Sequence, residues 1–125
     1  MEQKKWKNKN FLQALIHSLD GIKYTLSNEQ NLKIQLFFAI LVIGLGFLLK
    51  INTFEFLILI ITIALVLFAE MMNTCIEVCL DIYSEKYNEK IKVAKDVASG
   101  AVLILAVMSV IIGFIIFLPK IIIIL

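Results

Sequence analysis

A chain of 125 residues that is 61% hydrophobic, with mean hydropathy +0.95, exceeds the roughly one-half apolar content of water-soluble domains and excludes that class. Its length allows one domain, and a formal net charge of +2 is too small to imply nucleic acid as a partner. Every basic residue is lysine, so phosphate recognition must use ammonium point charges or work through a metal.

Residues 1 to 9 form a basic lead, with Lys4, Lys5, Lys7 and Lys9 around Trp6, as in a cytoplasmic anchor beside anionic headgroups. The first thirty residues are rich in Lys and Asn and lack a compact apolar core before a small-residue cleavage site, so the start is expected to stay in the mature chain. From Phe11 the period becomes helical. Phe11, Leu12, Leu15, Ile16, Leu19, Ile22 and Leu26 share one face, opposite Gln13, His17, Ser18, Asp20 and Thr25. This predicts an amphipathic helix on the membrane surface over about residues 8–27. Ser27 to Asn31 reads as a polar hinge. The apolar run Leu36 to Leu49 is short of the roughly 20 residues needed to span, so the first span is placed at about 29–49 with Glu29 at headgroup level. Gly44-Leu45-Gly46 reads as helix packing, and no phosphate-cradling glycine loop is present. Lys50 to Thr53 is a tight turn, and the second span covers about 54–83, with Glu55 simply exposed at its start. A charged loop from Ser84 leads to a third span at about 96–118, where Ser99, Gly100 and Ala101 permit close helix approach and Pro119-Lys120 ends the helix.

The second span closes on a polar stripe. Glu70, Asn73, Glu77 and Asp81 are spaced three, four and four residues apart, which at about 100° per residue puts them on one helical face with Thr74. Cys75 and Cys79 lack a histidine at ligand spacing and read as small packing residues. Six lysines precede residue 34 and four lie in the 84–95 loop, against one in the 50–53 turn and one near the tail. The positive-inside rule then puts the N-terminus in the cytoplasm and the C-terminus outside. Glu29, the Glu70 stripe and Lys95-Asp96 converge on the cytoplasmic membrane surface. Carboxylates for a divalent cation, a lysine for phosphate and an orienting asparagine are what phosphoryl transfer needs. A proton- or cation-coupled carrier fits the same residues, and so does a structural membrane protein.

The string EMMNTCIExxxD, Glu70 to Asp81, followed by AKDVASGAV, Ala94 to Val102, resembles the signature of the prokaryotic diacylglycerol kinase family of three-span lipid kinases. NExN at Asn28 to Asn31 and the ending GFIIFLPK resemble its Gram-positive branch, the undecaprenol kinases. The resemblance covers nearly the whole chain. It implies an all-α integral membrane homotrimer with sites between subunits, moving the γ-phosphoryl of ATP to a lipid alcohol, undecaprenol or alternatively diacylglycerol, with membrane lipids around it. By motif position, Glu70 would be the general base, Glu29 and Glu77 would hold Mg²⁺ with the ATP phosphates, and Asn73 would position these groups. His17, Lys86, Tyr87, Asn88, Lys95 and Asp96 would meet ATP, and Ser99 would face the lipid. Three departures touch this carry-over: Cys75 replaces a usual Ala, Asn88 a common His, and the surface helix lacks the Arg that some members carry.

Overall fold

A computed structural model describes residues 7–125, which fold into four helices. The expected basic anchor at Lys4, Lys5 and Trp6 lies outside the described residues. Helix α1 spans Phe11–Asn28, α2 Gln30–Leu48, α3 Thr53–Tyr83 and α4 Glu89–Ile124. The last three are long and apolar enough to cross a membrane.

Each start is capped by an asparagine, apart from α2. The Asn10 and Asn88 side chains accept from the Gln13 and Lys90 amides, satisfying donors that a helix leaves open. At α3, Asn52 Oδ1 accepts from the Glu55 amide at 2.8 Å while Glu55 Oε1 accepts from the Asn52 amide at 3.1 Å, a reciprocal capping box. Between α1 and α2 only Glu29 leaves the helical conformation, with φ −113° and ψ 110°. The polar hinge is therefore one residue long. Lys50, in the left-handed region at φ 52°, reverses the chain between α2 and α3.

Helix α3 is the spine. It packs most extensively on α4 and next on α2, while α2 and α4 barely meet. The tight core lies at the end of the bundle holding the α2–α3 turn, where Ile51, Leu59, Ile116 and Phe117 are buried together. Gly46 fits closely there: a Cβ would come within 3.0 Å of Ile51 Cδ1 and 3.1 Å of Phe56 Cε1, so these side chains would have to give way. The packing role read for the glycine pair thus belongs to Gly46, since nothing lies within 4 Å of a Cβ at Gly44.

Two expectations are corrected at this end. Glu55 is half-buried and, besides capping α3, accepts an ion pair from Lys120 Nζ at 3.2 Å. Pro119 does not end α4, which continues to Ile124. Proline removes one backbone donor, a loss membrane helices tolerate where neighbouring groups re-satisfy the backbone, and the extra turn carries Lys120 to Glu55. Cys75 and Cys79 are also exposed rather than packed inside the chain, because they fall about 140° and 180° around α3 from Glu70. The apolar face of α1 is likewise uncovered, with Phe11 83% and Leu12 63% exposed.

Candidate active site

The polar stripe of α3 turns inward. Glu70 is 1% exposed, the most enclosed large side chain of the described residues, and Asn73 and Thr74 are buried beside it. Thr74 Oγ1 donates to the Glu70 backbone carbonyl at 3.1 Å, so its hydroxyl is satisfied within the helix. Asn73 Nδ2 donates to Glu77 Oε1 at 3.3 Å, which leaves Asn73 Oδ1 buried without a partner. From α2, Gln35 Nε2 donates to Glu70 Oε2 at 3.2 Å, and Gln35 Oε1 is buried and bare. Buried polar atoms are ordinarily paired, so two bare amide oxygens beside these carboxylates are exceptions to that rule.

Glu29 joins this cluster from the α1–α2 joint. Partial burial, then the charge of Glu77, then that of Glu70 push its carboxyl above the ordinary glutamate range. The fold has thereby gathered three carboxylates from two segments. Among the described residues no three His, Cys, Asp or Glu side chains are close enough to enclose a metal by themselves. Glu29, Glu77 and the bare Asn73 Oδ1 still supply hard oxygen donors. That set fits a cation such as Mg²⁺, which keeps waters and takes phosphate oxygens as further ligands, better than a cation caged by protein alone.

The positive groups come from α4. Lys95 Nζ lies 2.8 Å from Asp81 Oδ1, and its charge also reaches Glu77. Lys92 Nζ holds Asp96 Oδ2 at 2.6 Å one turn along the helix. The remaining predicted residues stand outside the carboxylate cluster. His17 Nδ1 on α1 pairs with Oδ1 of Asn8, which precedes the helix. Lys86 and Tyr87 are exposed in the α3–α4 loop, Asn88 caps α4, and Ser99 is exposed on α4 one turn beyond Lys95. Glu29, Glu70, Asn73, Glu77 and Lys95 are therefore brought together, and His17, Lys86, Tyr87, Asn88, Asp96 and Ser99 make no hydrogen bond or ion pair to them among the described residues.

Gln35 was missed in the sequence, where it reads as a stray polar residue beside Lys33. A signal was present: it lies three residues after Leu32 and four before Ala39, the buried positions of α2, so it shares their inward face.

Because α2 and α4 splay apart, an apolar cavity of about 600 Å³ runs between them along α3, from Ile34 and Gln35 at one end to Phe117 and Ile121 at the other. Its hydroxyls are occupied, with Thr62 and Ser109 each donating to a carbonyl of its own helix at 2.7 Å. Such a shape suits a long hydrocarbon.

The sequence profile described as prokaryotic diacylglycerol kinase matches residues 16–117. The chain belongs to that family. It is 36% identical over 122 residues to the undecaprenol kinase of Bacillus subtilis, a match covering 96% of this chain and 99% of the relative. It is also 32% identical over 111 residues to the diacylglycerol kinase of Synechocystis, covering 88% of this chain and 63% of that relative. As a member of the prokaryotic diacylglycerol kinase family it is a kinase, and its three apolar helices make it a multi-pass membrane protein. Within this kinase, the carboxylate cluster and the apolar cavity meet at one residue, Gln35.

Proposed function

We propose that this kinase transfers the γ-phosphoryl of ATP to undecaprenol, giving undecaprenyl phosphate at the cytoplasmic membrane surface. The observation that carries the proposal is the position of Glu70, buried and hydrogen-bonded to Gln35 at one end of an apolar cavity and coupled to the charge of Glu29. A charged donor can be held on one side of it and a hydrocarbon on the other. Likeness to the Bacillus subtilis undecaprenol kinase over nearly the full length of both chains supports this acceptor.

The lipid hydroxyl attacks the γ-phosphorus in line, without a phosphoenzyme, since placement and charge neutralisation suffice for this reaction. The new oxygen–phosphorus bond forms as the bond to the β–γ bridging oxygen breaks, and ADP leaves with that electron pair. Glu70 takes the hydroxyl proton. Asn73 keeps Glu77 in place through its 3.3 Å hydrogen bond, and Glu29 and Glu77 are the residues that would hold Mg²⁺. A Mg²⁺ held there would supply charge neutralisation for the transferring phosphoryl group. Lys95 leaves Asp81 for the phosphates. Asp96, His17, Lys86, Tyr87 and Asn88 approach the nucleotide, and Ser99 faces the lipid.

The working form is a homotrimer in the cell membrane, one kinase domain per chain. The N-terminus lies in the cytoplasm, the C-terminus outside, and α1 lies on the surface. Two features support assembly. The carboxylates do not by themselves close a metal site, and α4 has open space at Gly100, where small residues let a helix approach.

A second acceptor, diacylglycerol, is favoured by the likeness to the Synechocystis diacylglycerol kinase. Transfer of labelled γ-phosphate from Mg·ATP by the detergent-purified chain, with undecaprenol and diacylglycerol offered separately, decides between them. Undecaprenol labelling is expected to be the stronger. Preference for diacylglycerol overturns the acceptor, and labelling of neither by a folded trimer returns the protein to the carrier or structural classes.

A further inference from the structure

We propose that Gln35 is a positioning residue for the reaction, clamping one oxygen of Glu70 so that the other is presented to the acceptor hydroxyl. The proposal rests on the kinase reading above and adds to it a residue from a different helix.

The geometry is specific. Glu70 Oε2 accepts from Gln35 Nε2 at 3.2 Å, whereas Oε1 has no hydrogen-bond partner among the described residues. A glutamate side chain has three rotatable bonds, and inside a helical bundle a single cross-helix hydrogen bond decides which oxygen is held and which is free. No other side chain of α2, α3 or α4 hydrogen-bonds this carboxylate. The charged groups around it are Glu29 at the α1–α2 joint, Glu77 on its own helix and, from α4, Lys95, which is held by Asp81; His17, Asp20 and Lys23 of α1 are exposed. The neutral amide is the one group placed to orient Glu70 without altering the charge of the site.

The second observation is the bare end of the same amide. Gln35 Oε1 is buried without a partner. Thr62 and Ser109, the other polar residues lining the cavity, are both satisfied within their helices. A glutamine kept only for packing would be better replaced by an apolar side chain of its size, which has no oxygen to leave bare. What such a replacement lacks is the N–H that holds Glu70.

That contrast supplies the test. Gln35→Met keeps the volume and removes both the donor and the bare oxygen. Gln35→Asn keeps the amide but is one methylene too short for the same reach. Both are measured in the full-length, detergent-purified chain for kcat and KM of Mg·ATP with the better lipid acceptor, and for thermal midpoint. Gln35→Met is expected to lower kcat on the order of 10- to 100-fold, the scale of a misplaced reacting group, with KM for Mg·ATP within about twofold and the midpoint unchanged or raised. Gln35→Asn is expected to lose kcat to a similar degree. A Gln35→Met enzyme, or failing its folding a Gln35→Asn enzyme, with wild-type kcat per folded molecule overturns the clamp. So does a fall in midpoint with unchanged kcat, the mark of a packing role. Absence of lipid phosphorylation by the wild-type chain instead removes the kinase reading, so the two failures are told apart.

Discussion

The two ends of the helical bundle treat polar groups in opposite ways. At the end holding the α2–α3 turn, Asn52 and Glu55 satisfy each other, Lys120 satisfies Glu55 again, and the apolar side chains around Gly46 fit closely. At the other end, the charges of Glu77 and Glu70 reach Glu29 and two amide oxygens are buried bare. One end is built for stability. The other is held in a less favourable state, with unpaired buried groups and like charges of the kind that functional sites concentrate.

Substitutions at each end should therefore move different observables. The largest effect is expected from Glu70→Gln, which should lower lipid phosphorylation on the order of 10²- to 10⁴-fold, the contribution of a general base, while leaving Mg·ATP binding and the thermal midpoint near wild type. Equal loss of nucleotide affinity would break the division of labour along α3. Glu77→Gln should act on the nucleotide side, raising KM for Mg·ATP about tenfold, a change of roughly 1.4 kcal/mol, in steady-state assays. Gly46→Val, at the other end, should lower stability by about 1–3 kcal/mol through overpacking against Ile51 and Phe56, with turnover per folded molecule unchanged.

The smallest effect is electrostatic. The folded chain keeps the Glu29 proton to a higher pH than the unfolded chain does, so this group's contribution to stability falls as pH rises above the ordinary glutamate range. Glu29→Gln removes that dependence. Unfolding followed as a function of pH should show the variant more stable than wild type near neutrality, with the difference closing toward acid. The same raised affinity for protons makes Mg·ATP binding release a proton on the acid side, measurable by calorimetry in two buffers.

Much of the site was legible because it is written in helical spacing. Glu70, Asn73 and Thr74 lie within one turn of each other, and a stripe of that kind in an apolar helix has to face inward. The lysine distribution pointed to a common level for Glu29 and Lys95, and both do reach Glu77 electrostatically. Pairings across long separations were not legible. Gln35 and Glu70 are 35 positions apart, and nothing local to Gln35 names its partner. The Glu55–Lys120 pair was hidden by Pro119, which in water-soluble chains is a sound reason to end a helix. In a membrane helix the neighbouring chain and the strong pressure to keep backbone groups paired outweigh that rule.

The single extended residue between α1 and α2 has a mechanical consequence. With no linker to absorb movement, a change in the angle between the surface helix and the first span is taken up in the φ and ψ of Glu29 itself. The uncovered apolar face of α1 begins directly on one side of that pivot. Any tilt of α1 against α2 is therefore a rotation about a residue whose carboxyl is already coupled to the charges of Glu77 and Glu70.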